Sequence, residues 1–264
     1  FALLLWGFFL FGEGLAQWQS TYEDTMAEPE AVLAIVIDDF GYHGEGTEEM
    51  IVLPVDFTAA VMPFSAQTVQ DAQALEAAGR EIIIHMPMES NVGKREWVGD
   101  KGIFKEMSAQ ETKDVLEEAF AVLPMAVGMN NHMGSAITTN AEKMQVIAEA
   151  LAERGMFYLD SVTEANTVCD DCCQKAGVTC LARSVFLDST DDVETVRKNL
   201  LAAAKKAKEN GGAVAIGHVG PEGGRVTAQA IWDTYEQIEK MGVRFVTLSE
   251  YVQIMGEHTD SSQA

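Results

Sequence analysis

Positive charge is scarce in this chain: 18 Lys and Arg stand against 41 Asp and Glu, a net charge of -23. Nucleic acid and anionic membrane surfaces are gripped by basic patches, so the balance argues against both as partners. A long hydrophobic run is also lacking. The most apolar stretch, residues 1–12 (FALLLWGFFLFG), is too short for a confident transmembrane helix. No glycine-rich phosphate fingerprint follows the first predicted strand, which disfavours a dinucleotide or P-loop fold. Cysteines number four. Cys169-x-x-Cys172 has metal-ligand spacing, but no second C-x-x-C exists to complete a zinc knuckle.

The chain of 264 residues is 47% hydrophobic and 22% charged, enough to bury a sizeable core in one α/β domain or two small ones. Residues 1–16 resemble the apolar region and small-residue end of a secretory signal, without its basic start, and are expected to act as a leader or membrane anchor. The competing reading of the same run is a buried helix or strand. With a leader the protein is expected to be exported, periplasmic or extracellular, with membrane attachment only through that segment. Residues 17–30 read as an acidic linker and 257–264 as a disordered tail. In an oxidising compartment Cys169, Cys172, Cys173 and Cys180 would form up to two disulfides stapling a loop. The strain of bridging adjacent Cys172 and Cys173 leaves two pairings open.

Between these ends the pattern alternates strand and helix. Residues 32–37 (VLAIVI) form an apolar, β-branched run that stops at Asp38 and Asp39. Further strands are expected at 56–62, 81–84, 126–129, 156–159, 184–187, 213–216 and 243–248. Helices are expected between them: 65–78 capped by Ser65, a capping box at Ser108-x-x-Glu111, and a cap at Thr139 or Asn140. Residues 91–102 read as a long loop over the active face. Met144 and Trp232 read as core. This alternation is the signature of a mostly parallel sheet or barrel, in which ligands bind beyond the carboxyl ends of the strands.

Polar residues collect at those ends: Asp38, Asp39, His85, Glu89, Asn131, His132, Asp160, Asp188 and His218. His43 and His258 fall in a loop and in the tail, where solvated side chains are expected. Imidazole and carboxylate together suit zinc or another first-row divalent metal, and a catalytic site needs about three protein ligands with one position open. Asp39, His85 and His132 would supply such a set. Neighbouring strand residues point to opposite sides, so Asp38 and Asp39 take separate roles, Asp38 as general base and His218 as general acid. Asn130, Asn131, Gly134 and Ser135 would orient ligands, supply an oxyanion donor, or merely form the turn. Asp160 and Asp188 would serve as partners of a histidine, helix caps or substrate contacts.

At Ile37-Asp38-Asp39-Phe40-Gly41, His85-Met86-Pro87-Met88-Glu89, Asn130-Asn131-His132-Met133-Gly134-Ser135, Phe186-Leu187-Asp188 and Gly217-His218 the sequence resembles the divergent polysaccharide deacetylase family, a branch of the NodB-homology superfamily. The resemblance spans residues 32–252. It implies a distorted seven-stranded (β/α) barrel of the glycoside hydrolase/deacetylase type over residues 31–256. It further implies metal-dependent removal of N- or O-acetyl groups from an envelope or extracellular glycan, with Asp38 as base, Asp39 on the metal and His218 as acid. The superfamily's second motif is His-x-x-x-His, but position 89 here is glutamate. Either Glu89 takes the ligand place or His132 replaces it, and His132 is favoured. The departure also motivates an alternative, a degenerate barrel that binds glycan without turnover. A third reading is a hydrolase of some other amide or ester at the same site.

Overall fold

The computed structural model describes residues 31–261. The leader and linker expectations therefore lie outside the described residues. Nine strands form one all-parallel sheet in the spatial order β6-β5-β4-β3-β2-β1-β8-β7, with β9 paired to β1. The strands are β1 (Ala31–Phe40), β2 (Thr58–Val61), β3 (Glu81–Met88), β4 (Gly128–Met133), β5 (Phe157–Asp160), β6 (Cys180–Ala182), β7 (Val185–Phe186), β8 (Gly212–His218) and β9 (Val243–Val246). The helices between them are α1 (Thr47–Ile51), α2 (Thr68–Ala77), α3 (Ala109–Val122), α4 (Ala141–Ala152), α5 (Cys169–Ala176), α6 (Val193–Asn210), α7 (Gly224–Lys240) and α8 (Leu248–Ser261).

Strand alternation builds two apolar layers. On β1, Leu33, Ile35 and Ile37 join the large cluster that carries the helices. Val32, Ala34 and Val36 join Ile83, Leu159, Val214, Ile216 and Tyr251 inside the curl of the sheet. β1 is the hub. One edge carries β8 from Val32↔Gly212 to Asp38↔His218. The other is shared, β9 pairing its first half (Ala31 to Ala34) and β2 its second (Val36 to Phe40). The path ends at β6 and β7, which no ladder joins although only Arg183 and Ser184 separate them. Arg183 bridges this seam. Its guanidinium stacks 3.6 Å from the Phe186 ring centre and donates to the carbonyls of Ser161 and Val162.

Several expectations change. The strands run past their apolar segments, so Asp38 and Asp39 lie within β1, His85 within β3, and Asn130, Asn131 and His132 within β4. A ninth strand arises because the cysteine stretch is a helix and a strand, not a stapled loop. Cys169, Cys172 and Cys173 fall at helical spacing and bury one face of α5 as small apolar groups, and Cys180 opens β6. All four are free thiols. Ser65 does not cap α2, which starts at Thr68, and Val69 on that helix is exposed. The Ser108–Glu111 capping box and the Asn140 cap are both formed. Trp232 is half exposed on the outer face of α7, whereas Met144 is buried. The expected disordered tail begins inside α8, which continues to Ser261.

Candidate active site

The carboxyl ends of β1, β3, β4 and β8 converge on a pocket of about 280 Å³ whose walls include Asp38, Asp39, His85, His132, Asp188 and His218. Asp38, His85, Asn130, His132 and His218 continue the inward-facing positions of their strands, one step beyond the apolar interior. Asp39 is out of phase and would face the helices. It adopts a left-handed backbone (φ 70), and the β1–β2 register slips between Ile37 and Phe40. This bulge turns Asp39 back, so both acids line one pocket, contrary to the expectation that neighbouring residues point apart. The turn beyond is fixed by Asp71, a buried α2 carboxylate. Its Oδ2 accepts the backbone N–H groups of Gly41 (2.8 Å) and His43 (2.9 Å), and its Oδ1 pairs with His43 Nδ1. His43 is thus tied down rather than simply solvated.

Three ligand-type atoms meet in the pocket. Asp39 Oδ1 lies 3.2 Å from His85 Nε2 and 3.1 Å from His132 Nδ1, and those nitrogens are 3.2 Å apart. Asp39 Oδ1 is buried and, despite this proximity, has no hydrogen bond of acceptable geometry. The other nitrogen of each histidine is already committed: His85 Nδ1 lies 2.7 Å from Asn130 Oδ1, and His132 Nε2 lies 3.3 Å from the Trp97 carbonyl. Both acceptors draw the ring proton outward and leave lone pairs facing Asp39. Burial disfavours the Asp39 charge, but the close His132 and His85 rings outweigh it and hold its pKa well below the usual carboxylate range. His85 is raised. Burial opposes its charge, and Asp38 and Asp39 overcome that.

Asp38 is 2% exposed, and its Oδ1 accepts from Asn130 Nδ2 at 2.8 Å. Burial raises its pKa, more than the charges of His85 and His218 and the Asn130 bond lower it. Across the pocket, His218 Nδ1 bonds to Asp188 Oδ1 at 2.8 Å. Asp188 Oδ2 takes the His218 backbone N–H and the Thr227 hydroxyl. Gly223 leaves room for this carboxylate, since a Cβ there would stand 2.1 Å from Asp188 Oδ2. Burial works against the imidazolium, but the Asp188 hydrogen bond and the charges of Asp188, Asp38 and Asp39 push His218 up to about 10.

The remaining candidates stand apart. Glu89 faces outward at the end of β3, accepting from Lys105 N (2.7 Å) and pairing with Lys105 Nζ (3.3 Å), and it lines a separate cleft with Lys94 and Arg95. It belongs neither to the cluster of ligand-type atoms nor to the pocket wall: alternation alone would put positions 85 and 89 on one face, but β3 ends at Met88 and Glu89 lies beyond its register. Ser135 Oγ holds the next loop through Ser90 and Asn91. Asp160 accepts from Val162 N beneath the seam. Asn131 points outward to Tyr158 and Ser161 and meets the pocket only at its wall. Its neighbour Asn130 instead touches both Asp38 and His85. The period-two count along β4 distinguishes the two. Arg183 carries no motif in the sequence that marks its place at the seam.

The curled parallel sheet and its rim of acids and imidazoles define an α/β barrel protein with a polar pocket at the carboxyl ends of its strands. Residues 35–252 match the divergent polysaccharide deacetylase family, and the chain belongs to it. An uncharacterized protein of Haemophilus influenzae is 34% identical over 81% of this chain and 76% of its own length. The uncharacterized protein YibQ of Escherichia coli is 35% identical over 76% of this chain, which spans 62% of that relative. Among solved structures, the uncharacterized protein ATU2773 of Agrobacterium tumefaciens superposes with a TM-score of 0.78 at 19% identity, covering 86% of this chain and 91% of that one. A family 4 acetyl xylan esterase of Clostridium thermocellum, solved with cobalt, gives 0.55 at 14% identity over 85% and 92%. At these identities the structures establish the fold, a parallel (β/α) barrel shared with the carbohydrate-esterase deacetylases.

Proposed function

We propose that this protein is a divalent-metal hydrolase that removes acetyl groups from an envelope or extracellular polysaccharide. The observation that carries the reading is the triangle of Asp39 Oδ1, His85 Nε2 and His132 Nδ1, with edges of 3.1–3.2 Å and an orphaned buried oxygen at one corner. Ligand atoms on a tetrahedron at zinc distances of about 2.0–2.1 Å stand about 3.3–3.4 Å apart, so the triangle fits one face of such a site with little movement. One anionic oxygen and two imidazoles are a donor set for zinc or a similar ion. His132 supplies the ligand that the glutamate at position 89 does not. Bound there, the ion would polarise an acyl oxygen and lower the pKa of a water.

The protein's own groups divide the proton work. Asp38, held at Oδ1 by Asn130, takes the proton from the attacking water. His218, which lines the pocket with its Nδ1 anchored on Asp188, has a raised pKa that favours the imidazolium, the state required to give a proton to the departing amine or hydroxyl. Asp38 and His218 are register partners on β1 and β8, which fixes base and acid side by side on rigid strands. The family match over residues 35–252 supports deacetylation, and the apolar run at residues 1–12 is what motivates an exported site of action. The test is acetate release by the zinc-loaded protein from N-acetylglucosamine oligomers and O-acetylated xylo-oligomers, set against simple amides and esters. Release from a sugar panel member that is lost in Asp38→Asn supports the proposal. Release only from non-sugar substrates, or none at all, overturns it.

A further inference from the structure

Asn130 is fully buried in the middle of the site and faces two partners at once. Its Oδ1 is 2.7 Å from His85 Nδ1, and its Nδ2 is 2.8 Å from Asp38 Oδ1. The backbone imposes this position, because Asn130 on β4 is the register partner of His85 on β3. We propose that Asn130 is a positioning residue that couples the two halves of the site, fixing the proton of His85 on Nδ1 while holding Asp38 as an acceptor. This rests on the metal-hydrolase reading above.

The chemistry of the carboxamide explains why this residue type suits the place. A carboxylate offers acceptors only, and a hydroxyl has one proton, whereas Asn carries an acceptor and a two-proton donor on one rigid head. With Asp38 ionised, the amide nitrogen must face it, and the amide oxygen is then left for His85. The oxygen can only accept, so His85 carries its proton on Nδ1 and its Nε2 lone pair faces Asp39 and His132. The reversed amide would need a protonated Asp38 and would aim an Nε2–H at the ligand centre. Outer partners of metal-binding histidines act in this way, setting ring tautomer and direction. Here the same side chain also reaches the base. His85 Nδ1 is 3.7 Å from Asp38 Oδ1, so the amide sits between two groups that would otherwise meet directly.

Two substitutions at this position separate the functions. Asn130→Asp keeps an acceptor for His85 and removes the donor to Asp38. Asn130→Ala removes both. Zinc affinity of the purified protein, measured by competition with a chromogenic chelator, is expected to fall about 10- to 100-fold in Asn130→Ala and to stay within about threefold of the parent, or tighten, in Asn130→Asp. Against a hydrolysed acetyl-sugar, both variants are expected to lose kcat by about 100-fold with KM little changed, because the base is no longer held. A packing role would move both readouts together with the size of the defect. The nearly isosteric Asp variant keeps the test readable if the Ala variant does not fold. The proposal is overturned if Asn130→Asp weakens zinc as much as Asn130→Ala, if Asn130→Ala leaves affinity unchanged, or if Asn130→Asp retains full kcat. Failure of the parent protein itself to bind zinc overturns the metal reading as well, and the affinity arm stands without any turnover.

Discussion

Asp188 and His218 form a two-point clamp, one carboxylate oxygen 2.8 Å from the imidazole Nδ1 and the other 2.6 Å from the backbone N–H of the same residue. The ring can neither rotate nor lose its Nδ1 proton without breaking a buried contact. In the metal-free protein, NMR titration is expected to place His218 near 10, and Asp188→Asn to bring it back toward the ordinary imidazole range. The folded value lies above the unfolded one. The resulting stability is therefore complete below about pH 6.5 and is lost as pH rises through the folded pKa. Unfolding midpoints of the parent protein should fall between neutral pH and 10 more steeply than those of Asp188→Asn.

His132 and Glu89 make opposite predictions. His132→Ala removes one corner of the ligand triangle and is expected to weaken zinc binding by more than about 100-fold, with loss of acetate release. Glu89→Gln alters only the surface contact with Lys105 and should leave both within about twofold. Zinc titration of the two variants checks this directly. A loss in Glu89→Gln equal to that in His132→Ala contradicts the assignment.

Asp71 is expected to matter although it touches no pocket atom. Its carboxylate receives two backbone N–H groups and the His43 ring, and it fixes the turn that follows the left-handed Asp39. Asp71→Ala leaves buried donors unpaired and should cost about 2–4 kcal/mol in urea unfolding. It should also reduce zinc affinity, since Asp39 then loses its anchored neighbour.

Arg183 closes the seam that the sheet leaves open. Arg183→Met keeps much of the stacking on Phe186 but gives up both carbonyl contacts, and is expected to cost about 1–3 kcal/mol. Hydrogen exchange should accelerate in β6 and β7 while β1 and β3 stay protected. Uniform acceleration across the sheet would contradict a local seam.

The apolar runs made the strands legible, and the polar residues that close each run made the rim legible. Asp38, Asp39, His85, His132, Asp188 and His218 were all visible in this way. The finer placement depended on strand phase. Counting alternate residues along β4 puts Asn130 and His132 inward and Asn131 outward, information present in the pattern once the strand is extended past Met129. The bulge at Asp39 was not visible, because a left-handed aspartate leaves no mark in composition. Neither was the helix at Cys169–Ala176, where three thiols at helical spacing act as small core residues and resemble a disulfide framework in sequence. Arg183 is informative only when β6 and β7 are known to be unpaired neighbours.

The central claim is that Asp39, His85 and His132 hold one divalent ion. Crystals of the zinc-loaded protein, with diffraction collected on both sides of the zinc absorption edge, test it most directly. The account predicts one strong anomalous peak bonded to Asp39 Oδ1, His85 Nε2 and His132 Nδ1, with Glu89 outside the coordination shell. A peak ligated by Glu89, or no peak between these three residues at saturating zinc, would contradict it.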